Sequence, residues 1–84
     1  MSSVTLRRIN PGLNMKRFYA LSVERDLLGA TVLVKAWGRL GTAGRVALEP
    51  YPNEEAADKE LRRVVSVKAK RGYRSRVPST GAAS

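Results

Sequence analysis

The residues of this chain best able to do chemistry are cations and aromatics, and their most telling grouping is Lys35–Arg45, KAWGRLGTAGR, which holds the single tryptophan. An indole with a cation two residues away on each side, Lys35 and Arg39, can stack on a sugar or base while the cations neutralise phosphates. Gly38 between them leaves the backbone approachable. Other chemistries are poorly supplied. With no histidine and no cysteine, the chain cannot form a disulfide, a thiol or histidine nucleophile, or a zinc site built on those ligands. Its acids number seven, and Glu54, Glu55, Asp58 and Glu60 fall in one short acidic stretch. The reading is therefore of a protein that is not an enzyme and has no cofactor and no metal.

Sixteen Lys and Arg against those seven acids give a formal charge of +9 over 84 residues. Such an excess favours polyanionic partners, nucleic acid or an anionic membrane surface. The start, MSSVTLRRIN, lacks the apolar core of a signal peptide, and no stretch approaches the roughly eighteen apolar residues of a membrane span. A soluble cytoplasmic protein is expected. A chain of this length makes one domain that buries only about 60% of its unfolded surface, which disfavours a large internal cavity.

The elements that must position the tryptophan can be read from periodicity. Val4 to Ile9 is expected as a first strand and Asn10 to Asn14 as a loop. Phe18 to Arg25 alternates, with Tyr19, Leu21 and Val23 on one side and Phe18, Ala20, Ser22 and Glu24 on the other, as a strand does. Asp26 to Gly29 is a turn leading into a second run, Ala30 to Leu40, rich in β-branched residues. Gly41 to Gly44 is the next turn, and Arg45 to Tyr51 a short strand that Pro50 and Pro52 end or push to an edge. From Asn53 the period changes. Asn53 is a good N-cap, acids occupy the first turn, Lys68, Lys70 and Arg71 the last, and Gly72 is a natural stop. Ala57, Leu61, Val64, Val65 and Lys68 share a face of this helix of roughly five turns. The fold class expected is α+β, a small antiparallel sheet of about four strands with one C-terminal helix on one face. Residues 1–74 form the single domain, and Ser75 to Ser84 a frayed tail.

Alternation along Thr31 to Leu40 sends Val32, Val34 and Ala36 one way and Thr31, Leu33, Lys35, Trp37 and Arg39 the other. If the first, wholly apolar set meets the helix, Trp37 lies on the opposite face, free for a partner. The alternative is a core tryptophan: Leu33 shares its side, and a bulge at Gly38 could turn the indole inward. From Leu61 to the C-terminus the chain carries Arg62, Arg63, Lys68, Lys70, Arg71, Arg74 and Arg76 and no acid. Much of that is a solvated helix face, Arg62 and Arg63 above all, but the run leaves a positive field.

Trp37, Gly38, Arg39, Leu40, Gly41, Thr42 and Gly44 together resemble the signature of the WGR domain, a module of DNA-dependent poly(ADP-ribose) polymerases and of many bacterial proteins, some of them free-standing. Two more blocks are similar to the family's: Asn14, Lys16, Arg17, Phe18 and Tyr19, and Lys68, Lys70, Arg71, Gly72 and Tyr73. The resemblance runs from about Leu6 to Tyr73 and implies an antiparallel sheet packed with one helix. It further implies that Trp37 packs on the sugar of a nucleotide at a 5′ end, that Arg39 contacts the backbone or a neighbouring domain, and that Asn14, Lys16 and Arg17 lie near phosphates. Arg45 stands where the family often has Gln, adding a cation and altering the hairpin's contacts. Neither a catalytic domain nor a zinc finger is expected beside the module.

The expected function is a non-catalytic module binding the DNA phosphate backbone, with a preference for 5′ ends or nicks. Its candidate site is Trp37, Arg39, Lys35, Gly38, Asn14, Lys16, Arg17, Arg45, Lys68 and Lys70. RNA is the competing nucleic acid. An adaptor that docks an acidic protein patch on the Trp37 and Arg39 surface is the alternative. A membrane role has the charge but lacks a helix joining a basic face to a bulky aromatic one.

Overall fold

In the computed structural model, which describes residues 2–75, the chain forms β1 (Ser3–Asn10), a 3₁₀ turn (Pro11–Leu13), β2 (Met15–Arg25), β3 (Thr31–Arg39), β4 (Arg45–Tyr51), α1 (Glu54–Lys70) and β5 (Arg74–Ser75). The strands make one sheet in the order β4-β3-β2-β1-β5, and every neighbouring pair is antiparallel. It is an α+β fold. The sheet has a fifth, two-residue strand beyond the four expected, because Arg74 and Ser75, after the helix, pair with Arg7 and Leu6. Ser75 thus belongs to the sheet, and the rest of the expected tail lies outside the described residues.

α1 leaves one edge of the sheet, at β4, and delivers the chain to the other, at β5, so it crosses the sheet and packs on β2, β3 and β4. Its start is fixed as the sequence indicates: Asn53 Oδ1 accepts from the Ala56 N–H at 2.8 Å. Ala57, Leu61 and Val64 project from α1 onto Leu21, Val23 and Leu33, and all six are buried.

That core corrects the expected orientation of β3. Leu33, with Thr31, lies under the helix, whereas Val32, Val34 and Ala36 face away. The cause is the hairpin register. Arg25 pairs with Thr31, Val23 with Leu33 and Tyr19 with Trp37, so the apolar side of β2 shares its face with the odd-numbered residues of β3. Trp37 is therefore on the helix side of the sheet. Pairing runs unbroken from Arg17 opposite Arg39 to Arg25 opposite Thr31, with no bulge at Gly38. The other face carries no helix, and Ile9, Val46 and Leu48 stay largely exposed on it.

Candidate functional site

Trp37 lies near the end of β3, where the helix is finishing. The last turn of α1 closes in a Schellman arrangement: the Gly72 N–H donates to Ala69 O at 3.1 Å and the Tyr73 N–H to Lys68 O at 3.0 Å. Gly72 takes φ 95°, a left-handed conformation that glycine adopts without a Cβ penalty. This stop brings Lys68 and Tyr73 together over the sheet. The Lys68 Nζ sits 4.4 Å from the centre of the Tyr19 ring and 5.4 Å from that of Tyr73. Tyr19, paired with Trp37 across the strands, stacks on it at 5.8 Å between ring centres and 16° between planes. An indole fixed in this way presents a surface already ordered before a ligand arrives. Burial pushes the Lys68 ammonium below the usual lysine range, helped by the charges of Arg71 and Lys35, and burial also raises the Tyr19 hydroxyl.

Cations surround this aromatic stack. Arg8 pairs with Arg17 and Arg17 with Arg39, so three arginines stand side by side in one row across β1, β2 and β3, on the helix side of the sheet. Arg45 is directly opposite Trp37 in the adjoining row. Like charges directly opposite each other destabilise a sheet. Among the described residues none of these four arginines has a carboxylate partner, whereas Arg25, Lys35, Arg62 and Arg63 each do. A bound polyanion would turn that repulsion into attraction.

Of the residues singled out from the sequence, Arg17, Trp37, Gly38, Arg39 and Lys68 line one depression of about 400 Å³ with Tyr19 and Tyr73, within the range that accepts a small ligand or a nucleotide unit. Asn14 and Lys16, with Arg17 and Arg39, line a second one beside it, where Asn14 is left-handed at φ 50° and ends the 3₁₀ turn. Lys35 is not part of either: its side chain is largely covered, and its Nζ donates to Glu49 at 3.0 Å. Lys70 is exposed on the last helical turn and lines neither depression. Gly38 has a packing role, since a Cβ there would come within 2.8 Å of the Gly44 Cα. Gly44, at φ 69°, is held as tightly, and a Cβ on it would collide with the Trp37 carbonyl. This glycine pair clamps the β3–β4 hairpin and so aims Trp37.

Two participants gain their place at the site from pairing and not from alternation. Alternation gives Tyr19 only a place in a strand and gives Arg8 no role; each gains its position at the site from cross-strand register, for which a single strand's alternation carries no signal. Trp37 fits neither simple alternative, being half-buried on the covered face but at the end the helix leaves open. Among the described residues no group of three or more acids could hold a metal ion, and no helix is long and apolar enough to cross a membrane.

Compared with known proteins, the chain matches the WGR domain over residues 2–80. It is 39% identical over 71 residues to the uncharacterized protein y4dW of Sinorhizobium fredii, a stretch that covers 84% of this chain and 35% of that protein. The chain thus spans about a third of the length of that relative. No solved structure matches it significantly.

Proposed function

Because the chain belongs to the WGR domain family, we propose that it is a non-catalytic nucleic-acid-binding module that engages the DNA phosphate backbone, preferentially at 5′ ends or nicks, through the Trp37 end of the sheet. The observation that carries this reading is the row Arg8, Arg17 and Arg39, three cations in register without carboxylate partners, next to the stacked Tyr19 and Trp37. The arginines hold successive phosphates, and Asn14 and Lys16 extend the contact around the end of β2. The sugar of a terminal nucleotide rests on the indole. Lys68 and Tyr73 wall the depression on the helix side, and this favours a chain that stops there over one that continues through. Among the described residues no helix is placed to enter a groove, so base sequence is not read.

If about four to six phosphates are engaged, log K falls with log salt at a slope on the order of −4 to −5. The test uses Trp37 as its own reporter: a nicked, 5′-phosphorylated duplex is titrated against its closed-circular equivalent, with single-stranded RNA in competition. Stronger quenching and tighter binding with the nicked duplex are expected. Equal binding to the closed circle would remove the end preference, and an indole that no nucleic acid disturbs would remove the site.

A further inference from the structure

The Leu6–Ile9 segment of β1 holds two adjacent arginines, and alternation sends them to opposite faces. Arg8 joins the row beside Trp37. Arg7 goes to the face without the helix, where it lies directly opposite Arg74 of β5 and opposite Phe18 of β2. Two like charges directly opposed should repel, and the pairing is unusual in a second respect. The Arg7 Nε is buried and has no hydrogen-bond partner, the one such side-chain atom among the described residues. A buried donor left unpaired costs free energy, and in native proteins a water or ligand commonly accounts for such an atom. Neither arginine forms an ion pair with a carboxylate among the described residues. Both line a cleft at the β1–β5 edge, with Ile9 and Gly72 also on its walls.

We infer that this cleft is a second phosphate site, in which Arg7 and Arg74 hold a phosphodiester group of nucleic acid on the face of the sheet opposite to Trp37. An oxyanion in the cleft accepts from the guanidinium of Arg7, whose Nε has no partner, and it converts the Arg7 and Arg74 repulsion into two charge-assisted contacts. The exposed side chain of Ile9 gives the adjoining sugar an apolar surface. The module then grips nucleic acid on both faces at one end of its sheet, with Arg7 and Arg8 as the two sides of the grip. This site is separate from the depression at Trp37 and is judged by a separate signal.

The experiment follows a fluorescein-labelled, nicked, 5′-phosphorylated duplex by anisotropy across a salt series, and the indole fluorescence in the same samples. The proteins are the wild type, R7Q/R74Q, the single R74Q, and R62Q/R63Q, which removes the same charge from the helix. R7Q/R74Q is expected to reduce the salt slope by about 0.9, the value of one phosphate, with the low-salt indole quench kept and R62Q/R63Q close to wild type. R74Q, at an exposed position where folding is not at stake, is expected to give about half that reduction. An unchanged slope in R7Q/R74Q, which would mean a lone water at Nε, or an equal reduction in R62Q/R63Q, which would mean net charge alone, overturns the second site. An absent quench in the wild type, with anisotropy binding intact, refutes the Trp37 site and leaves the cleft to its own slope.

Discussion

Under α1 and at the open end beyond it, the same sheet handles positive charge in two ways. Toward the hairpin that joins β2 to β3, Arg25 meets Glu54 at 2.8 Å, and beneath the helix Lys35 meets Glu49 at 3.0 Å. At the opposite end, neither the row of Arg8, Arg17 and Arg39 nor the row of Leu6, Tyr19, Trp37 and Arg45 contains an acid. A chain of +9 could have spread its few carboxylates evenly, and it does not. They support the region that holds the fold together, and the region proposed to face nucleic acid is left repelling itself. Stability and recognition are thus separable by position, so substitutions at the two ends should affect different observables.

The largest effect belongs to the covered end. Leu33 is fully buried between Leu21, Val23 and the helix, so Leu33→Ala removes packed side-chain volume and should cost about 2–5 kcal/mol of stability. Denaturant unfolding reads it directly, while the salt slope for DNA binding of the remaining folded protein stays at the wild-type value. A cost below about 1 kcal/mol, well under that range, would mean that α1 does not close on this face, and the division into two ends would fail with it.

Next in size is the removal of the aromatic platform. Trp37→Ala takes away the stacking surface and should weaken binding by about 1–3 kcal/mol, the range for a base or sugar stacked on an aromatic side chain. With no tryptophan left, anisotropy of a labelled duplex replaces the indole signal. Trp37→Phe keeps a ring against Tyr19 and should recover part of the affinity. If Trp37→Ala binds as tightly as wild type, the open end is only an electrostatic surface.

The sharpest contrast comes from Arg17 and Arg39. Either one changed to Gln should weaken binding and reduce the salt slope by about 0.9 for each phosphate no longer neutralised. The free protein should at the same time melt at a slightly higher temperature in low salt, because a repulsion between neighbours in the row is relieved. Glu49→Gln should do the reverse, lowering the melting temperature by leaving the covered Lys35 unpaired and leaving the slope alone. Should Arg17→Gln lower both stability and affinity, the row would be part of the scaffold.

How much of this the sequence discloses depends on which step needs long-range register. The first four strands, the two turns, the Asn53 cap and the Gly72 stop follow from local chemistry, and all lie within a few residues of their expected places. The covered face does not. A turn of Asp26 to Gly29 with β3 starting at Ala30 would set even residues of β3 beside odd residues of β2, placing Val32 and Val34 over Leu21 and Val23. In the structure Asp26 instead reaches across the loop: its N–H donates to Ala30 O, and its Oδ1 accepts from the N–H groups of Leu28 and Ala30, each at 2.9 Å. Ala30 is drawn into the loop, β3 starts one residue later, and every side chain on it changes face. The apolar pattern of β3 favours the wrong register, since Val32, Val34 and Ala36 make its wholly apolar side while Lys35 and Arg39 interrupt the side that Leu33 buries under the helix. The candidate site is legible where it lies in contiguous words, around Trp37, Asn14 to Tyr19 and Lys68 to Tyr73. Arg8 is not, because only pairing with Arg17 gives it a role.

The smallest expected effect tests the covered side by acid. Hydrogen bonding from Arg63, at 2.8 Å from its Nε, holds the Glu60 carboxyl below the usual carboxylate range in the folded protein, and the Coulombic attraction of the same guanidinium adds to it. A carboxyl whose folded pKa is depressed contributes stability that is fully present above its unfolded value and is lost as pH falls through the folded one. Melting temperature should therefore decline on acidification from the ordinary Glu range downward, and Glu60→Gln should flatten part of that decline. Arg63 is solvent-exposed, so screening keeps the difference small. Among the described residues the arginines at the open end have no such partner, and the same acidification should leave their mutual repulsion untouched. If the melting profile of Glu60→Gln parallels the wild type throughout that range, this pair contributes nothing, and the covered end owes its stability to the apolar contacts of Leu33, Leu61 and their neighbours.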